Sequence, residues 1–197
     1  MDNKLRIINY LGKNLGSSFT MHGLSKFIGI PYATFYRTVR GMGELLVIET
    51  IGKARTMRLN LQNSAIKSYL AISSEEEKVD YLTGQPLIKK ICSEFNTQDI
   101  VVLFGSYAKG NPRENSDIDI LVINKKGEKS ISFSKYESIF KKRINPIFIT
   151  HNEFRLMLKE KEENVGKQAL KHHIILNSPE QFWGSVLKCM SLNSRSS

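Results

Sequence analysis

The chain has little cysteine, little acid in its first third, and no long apolar run. Its two cysteines, Cys92 and Cys189, sit in apolar helical contexts without metal-ligand spacing. No disulfide framework is expected, and a reducing, cytoplasmic setting is. No stretch approaches the roughly 18 apolar residues needed to span a bilayer. The opening Met-Asp-Asn-Lys-Leu-Arg leads into alternating polar and apolar residues, not into a signal-peptide core. No membrane role is therefore expected. The deficit of acid is local. Overall the formal charge is +10. Residues 1–62 hold nine Lys and Arg against three acids (Asp2, Glu44, Glu49), a net of +6 from under a third of the chain. A basic segment of this kind suits a polyanionic partner.

That segment has a readable order. Leu5, Ile8, Leu11 and Leu15 fall on one helical face over residues 4–15. Residues 17–20 read as a connector, and 21–28 as a short helix stopped by Gly29. Pro31 fits the first turn of a third helix. Ile30, Phe35, Val39 and Met42 make that helix's apolar face, and Ala33, Tyr36, Arg37 and Arg40 the opposite one. Two β-rich runs follow, 45–50 and 56–61, with the basic stretch 51–55 as the tip between them. Helix, helix, tight turn, helix and basic hairpin resemble a winged helix-turn-helix domain over residues 1–62. Gly29-Ile30 matches the turn, and Thr34-Phe35-Tyr36-Arg37 lies within the recognition helix. The resemblance implies DNA as partner, with Tyr32, Thr34, Tyr36, Arg37 and Arg40 on the helix and Lys53 and Arg55 on the wing. A helix fits the major groove, while basic side chains on a wing reach phosphates. Tyr32 and Tyr36 have a second reading, as part of the core, and a winged helix can also serve protein contacts alone.

Residues 63–82 read as a helical linker. Leu61, Ala65, Ile66, Tyr69, Leu70 and Ile72 could form an apolar seam for dimerisation or docking. Ser73-Ser74-Glu75-Glu76-Glu77 reads as a fresh helix start, hydroxyls capping and carboxylates in the first turn.

The second segment, 83–197, carries the chemistry. Pro86 opens a helix. A buried strand is expected over 99–104, then Gly105-Ser106, a helical turn over 107–110, a polar loop, and a strand over 117–123. Side chains on a strand alternate, so Asp117 and Asp119 are expected on one face. Two adjacent carboxylates beside a Gly-Ser turn are costly unless a cation joins them. Mg²⁺ takes one or two carboxylates plus phosphate oxygens and water. Gly105 admits a phosphate close to the backbone, and the Ser106 hydroxyl can bind it.

Leu-Phe-Gly-Ser-Tyr-Ala-Lys-Gly followed by Asn-Ser-Asp-Ile-Asp-Ile-Leu-Val resembles the minimal nucleotidyltransferases of the DNA polymerase β superfamily. Their signature is Gly-Ser, about ten residues, then Asp-x-Asp. The resemblance implies an α/β (α+β) fold with a mixed sheet flanked by helices, following the winged helix domain. It implies Asp117 and Asp119 as catalytic metal ligands for Mg²⁺ or Mn²⁺. Gly105 and Ser106, with Lys109 and Arg113, would hold the phosphates of ATP or another nucleoside triphosphate. Lys109 stands where the family usually has Arg.

One carboxylate is missing. Active members of the superfamily carry a third on the next core strand, serving as metal ligand and base. That strand should be 144–150, and no acid occurs between Glu137 and Glu153. Either the base is lost, with Asn145 the only amide nearby, or another group such as Glu153 supplies it. Three functions therefore stand side by side. One is a DNA-binding regulator that binds a nucleotide. Another is an active nucleotidyl or adenylyl transferase. The third is an antitoxin-like partner of a small toxin protein, implied by family habit alone. A homodimer is expected from the linker seam and from paired half-sites. Farther on, residues 179–190 are expected to cover a sheet edge or a dimer surface.

Overall fold

The computed structural model describes residues 1–52 and 54–193. The chain divides into two compact units, Met1–Ser73 and a second from Ser74 onward.

In the first unit, α1 (Asn3–Lys13) is capped by Asp2, whose carboxylate accepts from the Leu5 amide. Leu5, Ile8 and Leu11 are buried, as their spacing predicts, and Ile7 joins them. Residues 17–20 hold more than a connector. Phe19–Thr20 form a short strand, β1, pairing antiparallel with β3 (Ala54–Leu59). Two residues carry no periodicity, so only the partner strand reveals it. Thr20 also caps α2 (Met21–Phe27) through its hydroxyl. Gly29 at φ +63° ends that helix. Its amide donates to the Lys26 carbonyl, and the Ile30 amide to that of Ser25, two bonds that close the helix end. Pro31 stands at the cap of α3 (Tyr32–Arg40), one residue outside the predicted first turn. Ile30, Phe35, Val39 and Met42 are all buried. The hairpin is tighter than expected. β2 (Leu46–Ile51) and β3 pair as far as Ile51 opposite Ala54, so Arg55 lies within a strand rather than in the tip. Lys53, assigned to that tip, lies outside the described residues. The sheet order is β1-β3-β2.

Ser73 and Ser74 do not start a helix. Both are interior to α4 (Ile66–Thr83) and buried. The Ser73 hydroxyl bonds back to the Leu70 carbonyl at 2.9 Å, and Ser74 Oγ accepts from Trp183 Nε1 at 2.9 Å. Ser73 thus bonds back onto its own helix and Ser74 to Trp183, so both buried hydroxyls are satisfied. The predicted apolar seam is divided too: Ile66 and Leu70 are buried, while Leu61 and Ile72 are exposed.

In the second unit, α5 (Pro86–Ser93) leads to β4 (Ile100–Phe104), α6 (Gly105–Ala108), β5 (Ile118–Asn124), α7 (Ser134–Phe140) and β6 (Ile144–Thr150). Then come α8 (His151–Lys159), α9 (Val165–Lys171), β7 (Ile174–Asn177) and α10 (Pro179–Asn193). The sheet order is β6-β5-β4-β7, with β5 and β6 parallel and the other pairs antiparallel. Burial alternates by face. Val101, Leu103, Ile118, Ile120 and Val122 pack with Ile88 and Ile91 of α5 and Tyr136 of α7. The intervening Ile100, Val102, Leu121 and Ile123 are also fully buried, and α8, α9 and α10 lie against β4 and β5. Cover on both faces explains why β4 and β5 read as nearly continuous apolar runs. Residues 182, 183 and 186 of α10 are interior, not a dimer surface: Phe182, Trp183 and Val186 are all 0% exposed. His173 is buried among these aromatics, its ring centroid 5.6 Å from that of Trp183. Glu94 ties α5 to α7. Hydrogen bonds from Lys135, Lys90 and Tyr136 hold its carboxyl down at about 2. Burial pushes the Cys92 thiol up to about 11, consistent with an inert packing role.

Candidate nucleotide and metal site

β4 ends at Phe104, and the chain turns immediately through Gly105 at φ +72°. Phe104 pairs with Asp119, so the turn brings the Gly105 backbone against the Asp119 carboxylate. A methyl carbon at Gly105 would lie 2.2 Å from Asp119 Oδ2. Only glycine meets both demands, the left-handed φ and the close approach. The Lys109 amide donates to the Gly105 carbonyl and the Asn111 amide to that of Ser106, closing the turn. Ser106 is half-buried beside Gly105.

The expected strand 117–123 is displaced by one residue. β5 begins at Ile118, and Asp117 stands just before it. Its start is set from outside, because the Ile118 amide donates to the Arg143 carbonyl at 3.0 Å. Asp119 is in parallel register with Asn145 on β6. Register partners project to the same face of a sheet, and here they meet: Asn145 Nδ2 donates to Asp119 Oδ1 at 3.1 Å. On the Asp117 side, Arg143 Nε lies 3.9 Å from Asp117 Oδ2. Sequence reasoning named Asn145 only as a replacement and missed Arg143. The available signal for Arg143 was its position one residue ahead of a strand parallel to the Asp-x-Asp strand.

Among the described residues no three His, Cys, Asp or Glu side chains gather as a metal group. Glu153 does not complete the site. It follows Thr150, which pairs with Asn124 at the other end of β5. Five residues at about 3.3 Å each separate Thr150 from Asn145 along β6, roughly 16 Å. Its carboxylate is also committed, accepting from the Thr150 amide at 2.7 Å and hydroxyl at 2.8 Å in a capping box. Those bonds, the backbone one foremost, hold its carboxyl below the usual range.

The donor set can be tested against the cation that such a site implies. Two carboxylates beside a tight backbone turn suit one hard divalent ion, which completes its shell with other oxygen ligands and water. They do not suit a pair of ions, since the third position is a neutral amide and a guanidinium faces Asp117. Lys109 and Arg113 are exposed. The Arg113 amide bonds to Ser116 Oγ at 2.8 Å, which shapes the loop leading to Asp117. Neither side chain is brought against the carboxylates.

In the first unit the assigned residues share α3 and β3. Tyr32, Arg37, Arg40 and Arg55 are exposed, whereas Thr34 and Tyr36 are half-buried. The Thr34 carbonyl accepts from the Thr38 hydroxyl. Tyr32 and Tyr36 lie 6.4 Å apart by ring centroid, and His22, which the sequence did not single out, packs edge-on to Tyr32 at 5.7 Å. Arg58 is balanced by Glu49 across the hairpin at 3.1 Å, whereas Arg55 has no ion-pair partner among the described residues.

The family model for the nucleotidyltransferase domain matches residues 86–187, more than half of the chain. The matched span holds the Gly-Ser turn, both aspartates and the whole mixed sheet. The chain belongs to the nucleotidyltransferase domain family. No curated protein and no solved structure matches it. Among the described residues, no helix is long and apolar enough to cross a membrane.

Proposed function

We propose that the protein is a cytoplasmic, DNA-binding regulator whose nucleotidyltransferase domain binds a nucleoside triphosphate with Mg²⁺ or Mn²⁺ and transfers its nucleotidyl group poorly. The observation that carries the nucleotide half is Asn145 hydrogen-bonded to Asp119 where a third carboxylate would stand. An amide takes no proton from an attacking hydroxyl. Losing general-base assistance costs about 10²–10⁴-fold in rate. The Gly105-Ser106 turn and both aspartates remain, so binding survives. Asp117 and Asp119 would hold the ion, which when bound neutralises phosphate charge and polarises the α-phosphate. Gly105 and Ser106 would receive the outer phosphates.

The DNA half is supported by the order α1, β1, α2, α3, β2, β3, with Arg37 and Arg40 exposed on α3 and a hairpin following it in the chain. That order matches what a winged helix would have, with α3 as the groove-reading element. Tyr32, Thr34 and Tyr36 lie along the same helix, and Arg55 on β3 would belong to the wing. Leu61 and Ile72 of the expected seam remain exposed and would contribute to a homodimer contact.

Incubation with α-labelled ATP and Mg²⁺ or Mn²⁺ tests the first half. ATP is expected to be retained with little label transferred, and retention is expected to fail in Asp117→Ala and Asp119→Ala. Rapid transfer that needs both aspartates would establish an active transferase instead. Modification of a toxin protein encoded beside this chain would then identify the acceptor. A mobility shift with the DNA upstream of its own gene tests the second half. Arg37→Ala with Arg40→Ala is expected to weaken binding about tenfold or more and to lower the salt slope by about two. Unchanged binding would remove α3 from the DNA interface.

A further inference from the structure

Resting on the nucleotide-binding reading above, we propose that this site holds a triphosphate with a single divalent cation, and that the Arg143 guanidinium takes the place of a second. Arg143 is placed by the fold rather than by chance. Its carbonyl accepts from the Ile118 amide at 3.0 Å, which fixes its backbone beside the start of β5. The next residue but one, Asn145, is locked in register with Asp119. Lys142 Nζ donates to the Glu114 carbonyl, so the segment 142–145 is tied to both the loop and the strand of the Asp-x-Asp motif. From that backbone the Arg143 side chain reaches Asp117 Oδ2 at 3.9 Å while remaining 77% exposed. It is close enough to offset the aspartate and free enough to turn toward a phosphate.

The charges favour this division of labour. Three carboxylates would create a strongly anionic pocket that no triphosphate could enter without two divalent ions. Here the site has two carboxylates and one guanidinium beside Asp117. One divalent ion already makes it net positive. Asn145 acts in the same direction. Its amide N–H occupies Asp119 Oδ1, the oxygen facing β6, and leaves Oδ2, the oxygen against Gly105, for a cation. A second ion would need an anionic ligand on β6, and Asn145 supplies a donor instead. Arg143 offers a planar fork of N–H groups that matches a phosphate.

Manganese stoichiometry, read by electron paramagnetic resonance, tests this on the full chain with a non-hydrolysable ATP analogue. Wild type is expected to bind one Mn²⁺ per nucleotide, and Asn145→Asp two. Arg143→Ala is expected to weaken nucleotide binding about 10–100-fold at saturating Mn²⁺, with Arg143→Lys recovering part of the loss. Residues 143 and 145 are both exposed, so these variants should fold. Two Mn²⁺ per nucleotide in wild type, or unchanged nucleotide affinity in Arg143→Ala, would overturn the inference and leave the nucleotide-binding reading intact. Failure of wild type to bind the analogue at all would overturn both.

Discussion

Gly105→Ala is expected to destabilise the second unit by roughly 2–4 kcal/mol and to abolish metal-dependent nucleotide binding. Two penalties act together. At φ +72° a side-chain-bearing residue occupies the left-handed region, at about 1–2 kcal/mol. The new methyl would also sit 2.2 Å from Asp119 Oδ2 and 3.1 Å from its carboxyl carbon. Asp119 cannot yield by moving its backbone, because it is paired with Phe104 on one side and Asn145 on the other. The carboxylate must rotate instead, giving up the Asn145 hydrogen bond and the position from which it would hold a cation. Gly110→Ala separates the two penalties. Gly110 has nearly the same φ, +73°, yet nothing lies within 4 Å of its missing Cβ. It is expected to lose only the backbone share, about 1–2 kcal/mol, and to bind nucleotide normally. Urea denaturation and nucleotide titration of the pair check this. Normal binding by Gly105→Ala would show that Asp119 Oδ2 is not part of the site.

Trp183→Ala is expected to cost about 3–5 kcal/mol, the largest loss of stability from a single truncation in the second unit. The indole is fully buried, with the Phe182 ring 5.2 Å and the His173 ring 5.6 Å away by centroid. Its Nε1 donates to Ser74 Oγ at 2.9 Å, anchoring α10 to the second half of α4. Removing it opens a cavity among neighbours that are themselves buried and cannot close over it. Trp183→Phe keeps most of the ring and loses the polar tie, for about 1–2 kcal/mol. The chain has one tryptophan, so wild-type emission follows this unit specifically, and circular dichroism serves for the variants. A loss under about 1 kcal/mol in Trp183→Ala would show that the α10 interface is loosely packed.

The motif from Phe104 to Asp119 was legible because all of its information is local. A buried apolar run, a glycine at a forced turn and carboxylates two apart can be read from spacing alone. β6, expected at 144–150 from the family resemblance, has those bounds. The absence of a third acid was likewise visible as composition. What composition left open was whether Glu153 could substitute. Parallel register closes that question, since it sets Thr150 and Asn145 at opposite ends of the strand.

By itself, then, the sequence determined the nucleotidyltransferase family, the Gly-Ser turn and the identity of the two aspartates. It also determined the basic, helical character of the first unit. Tertiary structure decided the rest. It joined Phe19–Thr20 to a sheet, carried one helix through Ser73 and Ser74, and buried α10. It also placed Asn145 on Asp119 and Arg143 beside Asp117. Each of these depends on which distant backbone supplies a hydrogen-bond partner. Helical and strand periodicity report a residue's own face; pairing register, a relation between two segments, is recorded in neither one alone.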